Sequence, residues 1–459
     1  MRSPFDCRKQ LEIIFRAGLE RVDPYAMIKT HVRIEDRRLI VDPGEDPIEI
    51  SLDRYDRIFV IGAGKATASM ARAMEEILGE RIDQGLIAVK YGHTAPLSRI
   101  EMLESGHPVP DENGVQAALR IARLADAADE RTLVISLISG GGSAILPSPM
   151  VCTVDGRERR LSLNDKQETT RALLACGADI REINCVRKHL SDLKGGRLLQ
   201  RIAPARALNL ILSDVVGDDL SSIASGMTVV DPTTYTDALS ILNAYGLADY
   251  VPKAVMEILR LGEEGRIPET LKEKELSGDC VDNILIGTNR QALLAAAEQA
   301  RRMGFNVCVL TSRITGEARE VARYFAGIAM DIRSEDLLIA KPACVLAGGE
   351  PTVTLKGSGK GGRNQEMALA FLAQLEAASE PVEGIHFLAA STDGNDGPTD
   401  AAGAFADVAL LKRSREKGLS IRDSLANNDA YTFFDTIEGL LRTGPTNTNV
   451  CDLQILMVV

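Results

Sequence analysis

A lysine follows two glycines in the segment IGAGKATASM at 61–70, where an apolar strand pattern gives way to a helical one. These residues are Gly62, Gly64 and Lys65. At such a junction the backbone can approach a ligand closely, and the free N–H groups and dipole of the helix favour an anion. The segment therefore predicts a phosphate-binding turn in which Lys65 neutralises charge.

A second glycine-rich segment, GSGKGGRNQE at 357–366, precedes an apolar helix and carries its own cations. It is not a Walker A loop, because Thr354 stands at the position of that motif's first glycine and Gly361 follows Lys360. A bare backbone, an ammonium and a fork-shaped guanidinium still suit the spreading charge of a phosphoryl group in transfer. We predict that 357–362 holds phosphates. The candidate ligand-binding residues here are Lys360, Gly361, Gly362 and Arg363.

Three consecutive glycines follow the buried strand pattern TLVISLI at 132–138 and leave a run of bare N–H groups, which suits phosphate oxygens. Adjacent glycines cost backbone entropy, so the run needs an offsetting role. We predict a further phosphate loop here. Its residues are Ser139, Gly140, Gly141, Gly142 and Ser143.

Basic side chains crowd the segment VRKHLSDLKGGRL at 186–198. Arg187, Lys188 and Lys194 as a set could collect a carboxylate or phosphates, and we predict that they bind the substrate. His189 is interpreted as a hydrogen-bonded structural residue rather than as a base.

Carboxylates follow two of the predicted strands, in SDVVGDDLSSIASG and in STDGNDGPTDAAG. A carboxylate at a strand end can hold Mg²⁺ or take the proton of a hydroxyl nucleophile. The candidate metal ligands are Asp214, Asp218 and Asp393. Asp214 is also a candidate catalytic residue and Asp393 a candidate substrate ligand, and the choice among them stays open. Turn and helix capping is the competing interpretation.

The order of elements places these segments on sheet edges. RIFVIG, an amphipathic helix over 66–78 and LIAVKY form a βαβ unit, and TLVISLI and ALNLILSD each end in a loop, as strands of doubly wound sheets do at a ligand crevice. We predict an N-terminal α/β domain of three layers with a largely parallel, Rossmann-like sheet.

The C-terminal half predicts a second three-layer α/β domain. Its strands are NILIG, FNVCVLTS, ACVLAG, TVTL, IHFLAAS and LQILMVV, and a hairpin-like pair among them predicts a mixed sheet. The predicted N-terminal domain covers 1–250. A helix and polar linker at 251–282 and a C-terminal domain at 283–459 follow it.

Composition excludes several classes of protein. The net charge of −12 and the absence of tryptophan argue against nucleic acid as a partner. The eight cysteines lack a C-x-x-C pair and are interpreted as reduced thiols. No apolar run approaches the roughly 18 residues needed to span a membrane, so we expect a cytoplasmic protein. A homodimer stays open.

The segments in this order resemble the type 2 glycerate kinases, or D-glycerate 2-kinases, whose C-terminal part is the MOFRL domain. The resemblance implies two α/β domains with the active site in the cleft between them, and phosphate transfer from ATP to D-glycerate with a divalent metal such as Mg²⁺. It places MOFRL at about 340–455 and singles out Lys65 and Arg363. It rests on IGAGKA, SGHPVPDENG, LISGGGSA, VRKHLSDLKGGRL, SDVVGDDLSSIASG, AGGEPTV, GKGGRNQE, STDGNDGPTDAAG and GPTNTNVCDL.

The predicted activity is in-line transfer to the 2-hydroxyl of D-glycerate, giving 2-phosphoglycerate. The alternative is an NAD(P)H-dependent hydroxypyruvate reductase, a label that relatives have also carried. Thr67 stands where the third glycine of G-x-G-x-x-G belongs, and the next strand ends at Lys90 rather than at an acid for the ribose, which argues against it. Met227, Asn447 and Cys451 depart from the family's usual residues at their positions.

Overall fold

A computed structural model describes residues 4–44, 46–275 and 280–459. Part of the predicted linker, 276–279, lies outside the described residues. The helices are α1 (Pro4–Arg21), α2 (Pro24–His31), α3 (Thr67–Leu78), α4 (Glu112–Asp126), α5 (Gly142–Ile145), α6 (Leu163–Ala175), α7 (Ile180–His189), α8 (Arg197–Ile202), α9 (Tyr235–Ala244), α10 (Lys253–Glu263), α11 (Asn289–Arg302), α12 (Ala318–Glu335), α13 (Arg363–Ala377), α14 (Val408–Glu416), α15 (Ile421–Ala426) and α16 (Ala430–Thr436).

The strands fall into two large and two small sheets. They are β1 (Val32–Glu35), β2 (Arg38–Val41), β3 (Ile48–Ser51), β4 (Arg57–Ala63), β5 (Gln84–Lys90), β6 (Glu101–Ser105), β7 (Thr132–Ile138), β8 (Val151–Val154), β9 (Arg157–Arg160), β10 (Arg206–Leu212), β11 (Val281–Gly287), β12 (Asn306–Ile314), β13 (Ala343–Gly349), β14 (Ile385–Ser391), β15 (Gly403–Asp407), β16 (Leu440–Leu441) and β17 (Asp452–Val458). The small sheets, β1–β2–β3 and β8–β9, were not predicted.

The described residues form two compact units. The N-terminal unit is 24–286, and the C-terminal unit joins 287–459 to the first helix, up to residue 23. This differs from the predicted domains, which placed the first helix with the N-terminal half. Within the part of the chain that the structure describes, no helix is long and apolar enough to cross a membrane.

The large sheet of the N-terminal unit has the strand order β11-β10-β7-β4-β5-β6. All pairs from β10 to β6 are parallel, which confirms the predicted Rossmann-like sheet. Every residue of β7 is buried. A central strand of a parallel sheet packs against helices on both faces and is therefore mostly apolar, as β7 is apart from Thr132 and Ser136. The parallel order brings the loops after β4, β7 and β10 to one edge.

Strand β11 lies at the edge of this same sheet, although the sequence placed NILIG at the start of the second domain. The backbone N–H of Ala207 donates to the Cys280 carbonyl at 2.8 Å, and Arg206 pairs with Asp282 at 2.7 Å. The predicted linker also contains α10, whose Val255, Ile258 and Leu259 are buried in a core with α7 and α9. The polar character of 262–282 therefore did not mark the change of unit, which falls between Ile286 and Gly287.

Helix α1 packs against α11 in the C-terminal unit. Its apolar stripe, which includes Leu11, Ile14 and Phe15, is buried as its amphipathic pattern predicts. Arg8 pairs with the buried carboxylate of Asp407 at 2.7 Å, and both atoms belong to this unit. The pattern fixed which face of α1 is buried, but not which unit receives it.

The large sheet of the C-terminal unit has the order β12-β13-β17-β14-β15-β16. The β12–β13 pair is parallel and the others are antiparallel, which confirms the predicted mixed sheet. The prediction of a strand at TVTL was wrong, because Thr352 makes only a single bridge, to Glu317. The C-terminal strand β17 lies beside β13 instead, so both neighbours of β13 are already present.

Candidate active site

The GAGKA turn and the SGGGS loop are joined at the ends of β4 and β7. The Lys65 N–H donates to the Gly140 carbonyl at 2.9 Å, and the Ser139 hydroxyl accepts the Ala66 N–H at 3.1 Å. Gly64 has a φ of +143°, and a Cβ there would lie 2.1 Å from Ser139 Oγ. Only glycine permits this approach. The two predicted phosphate segments therefore form one structure.

The Ser139 side chain serves this junction. It is fully buried, and its hydroxyl also lies 3.1 Å from Thr67 Oγ1. Ser139 was predicted to bind the cofactor, but its hydroxyl is used inside the protein. What it contributes is the position of the glycines that follow it.

Asp214, two residues beyond β10, lies against the same loop. A Cβ on Gly140 would be 2.3 Å from Asp214 Oδ2, so no side chain fits between them. Burial raises the pKa of the Asp214 carboxyl, while the Lys65 charge and the Gly141 N–H act to lower it. The structure thus brings together three predicted parts of the site: the cation Lys65, the SGGGS loop and the carboxylate of Asp214.

His107 is a neighbour of this loop that the sequence interpretation left out. Gly141 has a φ of +83°, and a Cβ there would lie 2.9 Å from His107 Cδ2 and 3.5 Å from Lys65 Cγ. The imidazole therefore borders the predicted phosphate loop on the side of Lys65. His107 belongs to the segment SGHPVPDENG, whose position in the family pattern was the available signal.

The far end of the SGGGS loop is tied to a strained turn. Ser143 Oγ lies 2.8 Å from Ser225 Oγ, and Lys194 Nζ donates to the Ser143 carbonyl at 2.7 Å. Ala224 and Ser225 have φ values of +49° and +58°, in the left-handed region that non-glycine residues avoid. Strain of this kind is concentrated at functional sites. Burial also lowers the pKa of Lys194 well below its usual range.

The other predicted basic residues have different surroundings. Lys188 pairs with the buried carboxylate of Asp231 at 3.2 Å, so its charge is compensated within the protein. Arg187 is half-buried, and its hydrogen bond within the described residues is to Thr170, at 3.5 Å. Lys188 is therefore a residue of the fold, whereas Arg187 keeps donors for a ligand.

His189 and Asp219 are structural. The buried His189 bonds the Cys185 carbonyl at 2.8 Å, and its ring packs on Tyr235 with centroids 4.7 Å apart. Asp219 accepts hydrogen bonds from the side chains of Ser221 and Ser222. The contacts of His189 agree with its interpretation as a structural residue, and those of Asp219 are the turn capping that was the competing interpretation for acids in this segment.

Asp218 occupies a tight turn and stays half-buried. Its φ is +59°, and its N–H donates to the Val215 carbonyl at 3.0 Å. The carboxylate makes no hydrogen bond or ion pair within the part of the chain that is described. It remains available to a ligand.

Arg363, the first residue of α13, is held by two carboxylates of the C-terminal unit. Its Nε and Nη2 donate to the two oxygens of Asp452 at 2.5 and 2.9 Å, and its Nη1 donates to Glu350 at 2.9 Å. Burial works against the charge, but Asp452 and then Glu350 keep the pKa of the guanidinium above its ordinary value. One N–H on each Nη is left for a ligand.

Glu350 and Asp452 were not among the predicted site residues. Asp452 begins β17 and pairs in register with Gly349, the last residue of β13, and with Ser391, the last of β14. Both acids lie in segments of the family pattern, AGGEPTV and GPTNTNVCDL, which was the available signal.

Most of the 357–362 loop is occupied by the protein's own acceptors. The side chains of Asn427, Asn428 and Asp429 and the Asn427 carbonyl accept its N–H groups. The N–H groups thus engaged are those of Lys356, Gly357, Ser358, Gly359 and Lys360. Among the described residues, none accepts the N–H of Gly361 or Gly362. The expectation that the whole loop holds phosphates is corrected to these two glycines.

Lys360 is exposed, and its ammonium lies 4.2 Å from the centre of the Tyr431 ring. This is a cation–π contact of the kind worth about 0.5–1 kcal/mol at an exposed site. A contact of that size orients the lysine without preventing it from reaching an anionic ligand.

Asp393 and Asp396 shape the turn after β14. Asp393 Oδ1 accepts the Ser391 hydroxyl at 3.0 Å and the Asn395 N–H at 2.9 Å, as turn capping predicts. Asp396 accepts the N–H groups of Asn364 and Gln365 and so caps α13 directly beside Arg363. Burial, aided by the charge of Asp452, raises the pKa of Asp396 to about 7. Asp396 is thus the acid that positions α13.

The described residues contain no group of three histidine, cysteine or acidic side chains that could hold a metal ion. Asp214 and Asp218 belong to one unit and Asp393 to the other. Mg²⁺ that arrives on a nucleotide needs only one or two carboxylates, since phosphates and water supply its other ligands. Asp214, which lies beside the phosphate loop, fits this requirement.

A lysine on one glycine turn, an arginine at the start of the helix after another, and a carboxylate beside a glycine loop are groups that a phosphotransferase uses. Residues 10–260 match the family described as "Domain of unknown function (DUF4147)", and 343–452 match the MOFRL family. This chain is a member of the glycerate 2-kinase family with a C-terminal MOFRL domain. As a phosphotransferase it acts on small molecules with a phosphoryl donor and a divalent metal.

Three relatives illustrate the similarity. A glycerate 2-kinase of Pyrococcus horikoshii is 40% identical over 96% of this chain and 95% of its own. The crystal structure of a glycerate kinase from Thermotoga maritima has a TM-score of 0.85 against this fold, with 38% identity over 99% of this chain and 100% of that one. A protein of Agrobacterium vitis named putative hydroxypyruvate reductase is 43% identical over 88% of this chain and 87% of its own.

Proposed function

We propose that this protein transfers the terminal phosphoryl group of ATP to the 2-hydroxyl of D-glycerate, giving 2-phosphoglycerate and ADP, with Mg²⁺ bound to the nucleotide. The observation that carries the proposal is the junction of the GAGKA turn with the SGGGS loop, where Lys65 and Asp214 lie beside a glycine backbone that carries no side chains. The choice of glycerate as the substrate comes from the names of the relatives, glycerate 2-kinase and D-glycerate 2-kinase.

In the N-terminal unit, Lys65 neutralises charge on the phosphoryl group while the glycine backbone holds phosphate oxygens. Asp214 accepts the proton of the 2-hydroxyl as its oxygen attacks phosphorus and the bridging oxygen leaves with ADP. A raised pKa makes Asp214 a better base for this step. The residues proposed to hold phosphate oxygens are Gly62, Gly64, Gly140, Gly141, Gly142 and Ser143. When bound with the nucleotide, Mg²⁺ would neutralise phosphate charge, and Asp218, or Asp214 in place of its role as base, would hold it.

In the C-terminal unit, Arg363 directs its two remaining N–H groups at the transferring phosphoryl group. Asp452 and Glu350 fix its plane, so little is lost in ordering it during the reaction. Gly361 and Gly362 offer N–H groups, and Lys360 adds charge from its position over Tyr431. Asp393 remains a candidate for the substrate hydroxyls or the metal.

A reductase is the competing function, and the surroundings of Thr67 oppose it. A dinucleotide fold needs its third glycine for close packing of helix and strand. Here the Thr67 hydroxyl fills that place and lies 3.1 Å from Ser139 Oγ, and β5 ends at Lys90 without an acid for the ribose.

Phosphorus NMR of the product tests the function. Incubation with ATP, Mg²⁺ and D-glycerate is expected to give 2-phosphoglycerate and ADP. The 3-phospho isomer as sole product would contradict the regiochemistry. Oxidation of NADH or NADPH by hydroxypyruvate, without ADP formation from glycerate, would replace the proposal with the reductase.

A further inference from the structure

Three cations of the N-terminal unit lie near enough to act on one another's charge. They are Lys166 on α6, Arg187 on α7 and Lys194 in the turn before α8. Lys166 and Lys194 are only 7% and 2% exposed. Neither these lysines nor Arg187 forms an ion pair with any residue that the structure describes.

The two ammonium groups bind backbone carbonyls around the same segment. Lys166 donates to Leu190 at 2.8 Å and to Ser148 at 3.4 Å, while Lys194 donates to Ser143 at 2.7 Å. An ammonium has three donors, so Lys194 keeps two and Lys166 keeps one. Ser143 is the last residue of the SGGGS loop, so the cations border the proposed phosphate site.

The charges of the cluster act on one another. Burial, and then the Arg187 charge, lower the pKa of Lys166, and burial followed by Lys166 and Arg187 lower that of Lys194. Asp192 is the one acid that acts on Lys166, and it also lies 3.7 Å from Arg201. Arg197 adds a further positive charge. The cluster is therefore short of negative charge.

A purely structural cation in this unit is treated differently. Lys188, which lies beside Arg187 on α7, is 4% exposed and so as buried as Lys166 and Lys194. It has a carboxylate partner, Asp231, at 3.2 Å. Burial of a cation that has no carboxylate partner is strongly unfavourable. Three that form no ion pair with the described residues, beside a proposed phosphate loop, indicate a place for an anion from outside the protein.

We propose that Lys166, Arg187 and Lys194 form the subsite for the carboxylate of the hydroxy acid, with Lys166 as a ligand that lies outside the sequence motifs. The inference rests on the proposed function. The guanidinium of Arg187 matches a carboxylate with two parallel N–H groups, and the lysines close the remaining oxygen positions. The 2-hydroxyl, one carbon away from the carboxylate, then points toward the SGGGS loop and Asp214.

The test is calorimetric titration of the full chain with D-glycerate, combined with steady-state kinetics. Lys166→Gln and Arg187→Gln are each expected to weaken D-glycerate binding and raise its KM at least tenfold, with the KM of ATP unchanged. Arg181→Gln is the control, since this exposed arginine shares α7 with Arg187. Thermal unfolding without ligand should show Lys166→Gln at least as stable as the wild type, because it removes repulsion.

Other outcomes would overturn the carboxylate subsite, either alone or together with the proposed function. Wild-type turnover of D-glycerate with unaltered D-glycerate binding in both variants would overturn the subsite and leave the function standing. An increased KM for ATP with unchanged glycerate binding would assign the cluster to phosphate and also overturn the carboxylate subsite. A wild-type protein that neither binds nor phosphorylates D-glycerate would overturn the proposed function, and the subsite with it.

Discussion

Lys65 and Arg363 are the proposed charge-neutralising residues, and the structure holds them in different ways. Lys65 is positioned through its backbone, which bonds Gly140, and its side chain is half-buried. Arg363 is positioned through its side chain, by Asp452 and Glu350. Substitution of Lys65 is therefore expected to change stability little, whereas substitution of Arg363 is expected to lower it.

Lys65→Met is expected to lower kcat/KM at least a hundredfold with little change in stability. Loss of one donor that stabilises developing charge costs about 3–4 kcal/mol in the transition state. Lys253→Met is the control, because Lys253 is an exposed lysine at the start of α10, outside the proposed site. Coupled assay of ADP release measures the effect. A change of only a few fold would remove Lys65 from the catalytic set.

Arg363→Ala is expected to lower both activity and stability. It leaves the fully buried Asp452 without a partner, which costs about 3 kcal/mol, and it removes the proposed phosphoryl ligand. The double variant with Asp452→Asn should regain most of the stability and none of the activity. Denaturant unfolding and kcat/KM together separate the two roles. Recovery of activity in the double variant would mean that Arg363 acts only in the fold.

Binding of D-glycerate is expected to weaken as pH rises above about 7. Burial and the Arg187 and Arg197 charges lower the pKa of Lys166 to about 7, against Asp192, and a bound carboxylate favours the ammonium form. The complex therefore takes up a proton at pH 8. Without ligand the sign reverses: the unfolded chain binds the extra proton, so this group makes stability rise with pH from about 7 to 10.5.

Calorimetry in buffers of different ionisation enthalpy measures the proton uptake. The Lys166→Gln variant serves as the control and should lose both the uptake and this part of the pH dependence. The affinity of the wild type for D-glycerate is expected to fall about tenfold between pH 6.5 and 9. An affinity that stays constant over this range would contradict the assignment.

At the scale of elements, the pairing of Arg8 with Asp407 joins α1 to the C-terminal unit. Asp407 is 1% exposed and begins α14 as its N-cap. Burial would raise the pKa of this carboxyl, but His386 and Arg8 hold it well below its usual range. The ion pair therefore holds α1 against the start of α14, which lies far from it in sequence.

Arg8→Met is expected to lower the free energy of unfolding by about 3 kcal/mol at pH 7, since it leaves a buried carboxylate with one partner fewer. Arg16→Met on the same helix is the control, because its pair with Glu12 is exposed and worth less than about 1 kcal/mol. The folded-state pKa of Asp407 is depressed, so the contribution is present at neutral pH and is lost as pH falls. Equal stabilities of the two variants at pH 7 would contradict it.

At the scale of the molecule, the proposed machinery is divided between the units. Lys65, Asp214 and the SGGGS loop belong to the N-terminal unit, and Arg363 with Gly361 and Gly362 to the C-terminal one. Transfer that uses both sets requires each unit to act on the same pair of substrates. Domain motion on binding is the common solution, and it excludes the water that would otherwise accept the phosphoryl group.

A nonhydrolysable ATP analogue and D-glycerate together are therefore expected to compact the protein more than either ligand alone. Small-angle scattering measures the radius of gyration in each case. Glycerol in place of glycerate is the control, because it keeps the hydroxyls and lacks the carboxylate. A ternary complex no more compact than the binary ones would contradict closure of the units on their substrates.

Local patterns determined much of this protein. Strand, turn and helix order predicted the parallel and mixed sheets, because side-chain periodicity and the need for glycine at tight turns are properties of short segments. The glycine segments with Lys65 and Arg363 were visible for the same reason. Asn447 and Cys451 depart from the usual residues where the backbone is left-handed, with φ values of +59° and +68°.

Only the tertiary structure decided how distant segments meet. It gave β11 to the first sheet and α1 to the second unit, and it placed β17 beside β13 where TVTL was expected. It also paired Arg363 with Asp452, 89 residues away, and brought Lys166 to Lys194. No local pattern encodes these encounters, because they depend on which buried surfaces and charges find partners when the whole chain packs.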